Sequence, residues 1–476
     1  MTSSHLRSRL AALLIALTLL LSLAPAALAY NADQPASLTD TDLIAASAIL
    51  IDGHTGRTLY AKDADTRRFP ASTTKVMTLL LALENIPDLD ATITIPAEAN
   101  QYPEGSSLVG LFTGEEMTWR ALLNTFFICS GNDAGIAIAI LVAGDEATFV
   151  NMMNARAQQI GCQNTHFVNP HGFHDPEHYT TARDLAMIAM EAMKNPEFRQ
   201  IASTTNYTIP ANNKRSEDTT KWTKNQFIAR NDTSMKYKYV YGTGIKTGYT
   251  SKAGNTFVGS ATRDGVDLIS AVLLSTTDGK WIDSIRLMEY GFATYDDYDP
   301  ISLYAARPIT VQLDGADPGD PAGGTVTLNI AAPESADPIC ATPAEIAQIQ
   351  SNFTDMLSVN YSRELKAPVN AGDVMGTLTY NAPGGYTYQY TLVAANSVAA
   401  ASAAVPPTID EAIQPQGETE SSAPNKLIWI VPLICVIAVL FIMIAINVAR
   451  ERARRRRRRA RRGYGYYDYD PYNRRK

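Results

Sequence analysis

Cysteine is scarce in this chain: four residues among 476, at positions 129, 162, 340 and 435. None has the short paired spacing of a zinc or redox motif, so neither chemistry is legible in them. Cys435 lies in a long apolar run, and the other three are too widely separated to define a disulfide. They read as buried free thiols. No internal repeat is visible.

Positive charge is also missing from most of the chain. The formal net charge is −7, but from Arg450 onward there are 13 basic and 3 acidic residues, and Arg7 and Arg9 add two cations near the start. The stretch between carries −19. Nucleic-acid binding depends on Lys and Arg neutralising phosphates, so an acidic body of this kind is a poor match for it.

Two long apolar runs frame that body. Leu10 to Leu23 follows Arg7 and Arg9 and leads to Ala27-Leu28-Ala29, a small-x-small cleavage pattern. Residues 1–29 therefore read as a secretory signal. Leu427 to Val448 has no charged residue, and at about 1.5 Å per helical residue it is long enough to cross ~30 Å of hydrocarbon. The cluster RARRRRRRARR follows at 452–462, and the positive-inside rule puts it in the cytoplasm. The expectation is a single-pass membrane protein with residues 427–448 as its helix, 449–476 as a basic cytoplasmic tail and the body outside.

Within the body, residues 30–300 alternate helical runs (Met77 to Glu84, Trp119 to Phe127, Leu185 to Met193) with strands such as Ala46 to Asp52 and Leu268 to Leu274. This reads as a mixed α+β domain. From Tyr241 to Leu274, glycines punctuate β-branched residues and predict three consecutive antiparallel strands. Residues 301–397 nearly lose helical periodicity and read as a small all-β domain. Residues 398–426, rich in Ala, Ser, Pro, Gln and Glu, read as a flexible stalk.

Ser72 and Lys75 stand three apart at the head of an apolar helical run, which puts them on one face. A serine hydroxyl needs a base to become a nucleophile, and a lysine with a depressed pKa can be that base. Serine is equally common as a helix cap, so the pair alone decides nothing. Two further stretches bear on it. Ser130-Gly131-Asn132 interrupts two apolar helical runs and so falls on a turn. Lys246-Thr247-Gly248 falls in the hairpin region, where a strand can present a cation, a hydroxyl and an open backbone edge.

The order S-x-x-K, S-x-N, K-T-G is the signature set of penicillin-binding proteins and serine β-lactamases. The flanking text, DGHTGRTLYAKDADTRRFPASTTKVMT, CSGNDA, NTHFVNPHGF, YTTARDLAMIAM, GIKTGYTSKAGNTFVGSAT and MGTLTYNAPGGYTYQYTLVAANSV, resembles the low-molecular-mass D-alanyl-D-alanine carboxypeptidases of bacteria. The resemblance implies a β-lactamase/transpeptidase-like catalytic domain, with helices flanking an antiparallel sheet. It implies a penicillin-sensitive serine enzyme that needs no cofactor and removes the terminal D-alanine from peptidoglycan stem peptides, with β-lactam antibiotics as covalent inhibitors.

By the same resemblance, Ser72 is the nucleophile and Lys75 its general base, while Ser130 and Lys246 relay the proton to the leaving amine. Asn132 holds the substrate amide, and Lys246 and Thr247 bind the terminal carboxylate beside Gly248. The backbone N–H groups of Ser72 and Tyr249 hold the oxyanion. Relatives often carry histidine where this chain has Tyr249, and some have a basic substrate-binding residue near the place of Lys280.

Some residues suggest other chemistry. His171, His174 and His178 cluster in NPHGFHDPEH, which reads as a structural loop whose spacing matches no strong metal signature. Cys129 beside Ser130 lacks a His and Asn or Asp pairing, so it reads as a small apolar residue. The rival functions are a class A β-lactamase, a D,D-endopeptidase on cross-links, and a silent wall-binding scaffold. The β-rich domain and the anchor weigh against the first, and the intact motif residues weigh against the last.

Overall fold

Apolar residues along Ser47–Asp52 (β1) belong alternately to two cores, and this period of two builds the main sheet. Ile49 and Ile51 join a core with Val76, Leu79, Leu80, Leu122 and Phe126. Ala48 and Leu50 face the other way, toward Trp281, Leu287, Met288 and Phe292. Both faces are covered by helices, so every residue of β1 is buried. The computed structural model describes residues 37–228, 236–331, 338–383 and 385–401.

Four further strands complete this sheet: Thr58–Lys62 (β2), Gly242–Thr250 (β3), Gly254–Arg263 (β4) and Val266–Ser275 (β5). Their order is β2-β1-β5-β4-β3, and every neighbouring pair is antiparallel. The three consecutive strands expected between Tyr241 and Leu274 are thus β3, β4 and β5. β3 is the outer strand, which leaves one of its backbone edges open beside the first helix.

The helices that position the site are Lys75–Asn85 (α1), Trp119–Cys129 (α2), Asn132–Ala143 (α3), Ala182–Met193 (α4), Pro196–Ser203 (α5) and Gly279–Thr294 (α6). Local chemistry starts several of them. The Thr118 and Thr181 side chains accept from the N–H groups of Ala121 and Asp184, and Asn195 accepts from those of Glu197 and Phe198. α1 begins instead from a 3₁₀ turn, Ala71–Thr74, that carries Ser72.

Beyond residue 300 the chain forms a five-stranded antiparallel sheet, with strands in the order Thr310–Gln312, Thr325–Ile330, Tyr386–Ala394, Val374–Ala382, Leu357–Tyr361. The all-β expectation is corrected by a helix, Pro343–Asn352, opened by a Thr342–Glu345 capping box, and by a short helix, Ile301–Ala306. The Pro343–Asn352 helix seats mainly Ile346 and Ile349 in the core, too narrow a stripe for a clear helical period. This part is also tied to the first, because Asp296–Tyr298 pairs with Ile339–Ala341 and Arg57 binds Glu345.

Residues 398–401, expected as the start of the stalk, belong instead to the folded part. Val398 is buried and pairs with Val369, and Ala401 N–H donates to the Gly315 carbonyl at 2.8 Å. The expected leader, the remainder of the expected stalk, the apolar span with Cys435 and the Arg-rich tail lie outside the described residues.

Candidate active site

The 3₁₀ turn places Ser72 just ahead of Lys75, the first residue of α1. Lys75 is wholly buried, and its Nζ donates to Ser72 Oγ at 3.1 Å, Asn132 Oδ1 at 2.8 Å and the His171 carbonyl at 2.6 Å. Burial holds its pKa well below the usual lysine range, the Lys246 charge pushes it lower, and Asp133 opposes both. Both main effects disfavour the charged form, which is the direction a general base facing a hydroxyl requires.

Ser130 ends α2 with φ +59°, a left-handed conformation that non-glycine residues seldom adopt. It borders a cavity of about 20 Å³ together with Lys246, Thr247, Lys224 and Asn225, room for about one water. Lys246 is nearly buried, with its Nζ 5.8 Å from the Phe127 ring centroid. Its pKa is pushed down to about 7, first by burial and then by the Lys224 charge; Cys129 opposes this, and the Lys280 charge adds the smallest downward push.

Gly248 faces Thr256 across the β3–β4 ladder. A Cβ at Gly248 would lie 2.4 Å from Thr256 Oγ1 and 2.9 Å from Ser72 N, so only glycine lets β3 approach the nucleophile this closely. Tyr249 comes next and is 65 % exposed. Ser72, Lys75, Ser130, Asn132, Lys246, Thr247, Gly248 and Tyr249 thus converge from the start of α1, the α2–α3 turn and the outer strand.

Lys280 is placed differently. It lies near the start of α6, buried, with Nζ donating to Asn255 Oδ1 at 2.7 Å and 5.1 Å from the Trp281 ring centroid. Asn255 is the ladder partner of Tyr249, so Lys280 supports the strand behind the site. Cys129, Cys162 and Cys340 are free thiols, Cys129 half-buried and the other two buried.

Several contributors carried no sequence signal. Asn132 Nδ2 donates to Ser106 Oγ at 2.9 Å, and Asn132 N–H to the Ser107 carbonyl at 2.7 Å. Asp133 draws that loop in, because its carboxylate accepts from the N–H groups of Val109, Gly110 and Leu111. The NPHGF loop contributes the His171 carbonyl that holds Lys75. Lys224 and Asn225 were missed because nothing in WTKNQF distinguishes them from a polar surface. A larger cavity, about 660 Å³, lies elsewhere among His54, Met190, Arg199, Thr243 and Asp267.

A family model described as D-alanyl-D-alanine carboxypeptidase, peptidase S11, matches residues 31–277, just over half of the chain. The chain belongs to this family. The DacF carboxypeptidase of Bacillus subtilis is 32 % identical over 61 % of this chain and 72 % of its own length. The DacA carboxypeptidase of Escherichia coli K12 is 30 % identical over 73 % and 82 %. Among solved structures, the Streptomyces K15 DD-transpeptidase is 33 % identical with a TM-score of 0.50, covering 54 % of this chain and 100 % of that one. Penicillin binding protein 5 of Haemophilus influenzae is 27 % identical with a TM-score of 0.56, covering 76 % and 99 %. The catalytic part of this carboxypeptidase family member therefore has the mixed helix and sheet fold of the penicillin-binding enzymes.

Proposed function

We propose that the chain is a serine D-Ala-D-Ala carboxypeptidase that trims peptidoglycan stem pentapeptides through an acyl-enzyme on Ser72. The observation that carries this is the buried Lys75 Nζ, 3.1 Å from Ser72 Oγ, beside a second depressed lysine.

Ser72 Oγ attacks the carbonyl carbon of the penultimate D-alanine while neutral Lys75 takes its proton. The negative charge that develops on the carbonyl oxygen is met by the N–H groups of Ser72 and Tyr249. The C–N bond then breaks. The leaving amine receives a proton by way of Ser130 and Lys246, and terminal D-alanine departs. Water attacks the Ser72 ester, giving the tetrapeptide and restoring the hydroxyl. Lys246, Thr247 and the nearby Lys224 bind the terminal carboxylate, and Asn132 orients Lys75 as well as facing the substrate amide. β-Lactams enter the same path and stop at the acyl-enzyme.

The leader, the apolar span and the Arg cluster support export and a single C-terminal membrane anchor, with the catalytic part outside and the tail in the cytoplasm. On this reading the catalytic part faces the peptidoglycan it trims.

The test is product analysis with pentapeptide muropeptides and a labelled penicillin. Wild-type protein is expected to release D-alanine and carry one label on Ser72, and Ser72→Ala to do neither. Release by Ser72→Ala at the wild-type rate overturns the assignment. Cleavage of cross-linked dimers in preference to pentapeptides shows an endopeptidase instead.

A further inference from the structure

The sequence marks His178 only as one histidine in a loop, yet the structure buries it against the turn that carries the nucleophile. It is 2 % exposed, with its ring against Phe167. Its Nδ1 accepts from Val168 N–H at 3.1 Å, so in a neutral ring the proton sits on Nε2. Nε2 lies 2.8 Å from Thr74 Oγ1, and Thr74 Oγ1 donates its one hydrogen to the Ala71 carbonyl at 2.8 Å. Thr74 can therefore only accept from His178, and both ends of the relay require the same tautomer.

The relay ends on an unusual peptide. Ala71 has φ +51°, a left-handed conformation costly for a residue with a Cβ. Its carbonyl is also crowded by Gly172, where a Cβ would lie 1.9 Å from the oxygen. The peptide unit is rigid and trans, so its C=O and the following N–H point in opposite directions. Fixing the Ala71 oxygen toward Thr74 aims the Ser72 N–H the other way.

We propose that His178 is a positioning residue for acylation: through Thr74 it locks the Ala71–Ser72 peptide and so aims the Ser72 N–H at the developing oxyanion. The charged and titratable groups acting on the ring are Asp175, His166, Lys75 and His174, and burial dominates them. The ring stays neutral through the working range, so the relay is a fixed device and not a pH switch. The inference rests on the acyl-enzyme reading of Ser72.

The experiment measures the acylation rate by labelled penicillin, and kcat and KM on a D-Ala-D-Ala peptide. His178→Phe keeps ring volume without the donor, and Thr74→Val keeps shape without the hydroxyl. Each is expected to slow acylation and kcat by about 10- to 100-fold, less than the roughly 100- to 1000-fold of removing an oxyanion donor outright, with KM nearly unchanged. The double variant is expected to be no slower than the worse single, because both break one relay. His178→Gln, which can donate to Thr74, and Thr74→Ser restore most of the rate.

Wild-type acylation by Thr74→Val, multiplicative losses in the double variant, or no rescue by Thr74→Ser overturns the relay. Should His178→Phe fail to fold, the Thr74 pair decides. A wild-type protein that takes no label on Ser72 refutes the acyl-enzyme reading instead, which separates the two failures.

Discussion

Lys246 lies close enough to Lys75 for its charge to be the second cause, after burial, of the depressed Lys75 pKa. Two like charges this close disfavour each other, so protonation of one lysine opposes protonation of the other. One lysine works as a base and the other as a cation because their surroundings divide the protons between them.

The Lys246 pKa of about 7 carries a pH dependence. Below it the ammonium is charged and binds a substrate carboxylate, and above it that attraction fades. KM for a peptide with a free terminal carboxylate is expected to rise as pH climbs from about 7 to 9. An amidated peptide should show a flat KM over the same range. Steady-state kinetics on the two substrates checks this, and parallel curves would remove Lys246 from carboxylate recognition.

Gly172 has φ +81° and packs directly on the Ala71 carbonyl. Gly172→Ala combines left-handed strain with overpacking and is expected to cost about 2–4 kcal/mol of stability. It should also slow acylation, since the displaced carbonyl belongs to the Ser72 peptide. Urea unfolding and labelling with penicillin read the two effects separately.

Asp133 accepts from three successive loop amides at 2.8–3.1 Å. Asp133→Asn leaves one acceptor oxygen for them and is expected to cost about 1–3 kcal/mol, with some of the N–H groups unsatisfied. The loop carries Ser106, which holds the Asn132 amide, so kcat should fall with stability. Losing the carboxylate also removes a charge that raises the Lys75 pKa, so the acid limb of the acylation profile moves to lower pH. A shift in the opposite direction would mean that loop disorder outweighs the charge.

Local pattern made much of the fold legible. The runs Met77 to Glu84, Trp119 to Phe127 and Leu185 to Met193 fall inside α1, α2 and α4, because each is periodic over two or more turns. The hairpins from Tyr241 to Leu274 were legible because glycines bound β-branched runs. Pro343–Asn352 was not, having a narrow apolar stripe, although its Thr342 and Glu345 box was a local signal. Residues 398–401 do not read as folded in the sequence because Val398 and Ala401 are held by long-range pairing with Val369 and Gly315, which composition does not reveal.

By itself the sequence determined the chemical parts: a hydroxyl and an amine one helical turn apart, a serine and an amide on a turn, a lysine and a threonine on a strand, and their order along the chain. Spacing and side-chain chemistry suffice for that. Whether Lys75 is a base depends on the water it has lost and on the cation beside it. Those come from Asn132, 57 residues away, from the His171 carbonyl, 96 away, and from the strand that carries Lys246. A pKa is set by burial and by neighbouring charge, and both exist only once the chain has folded around Ser72.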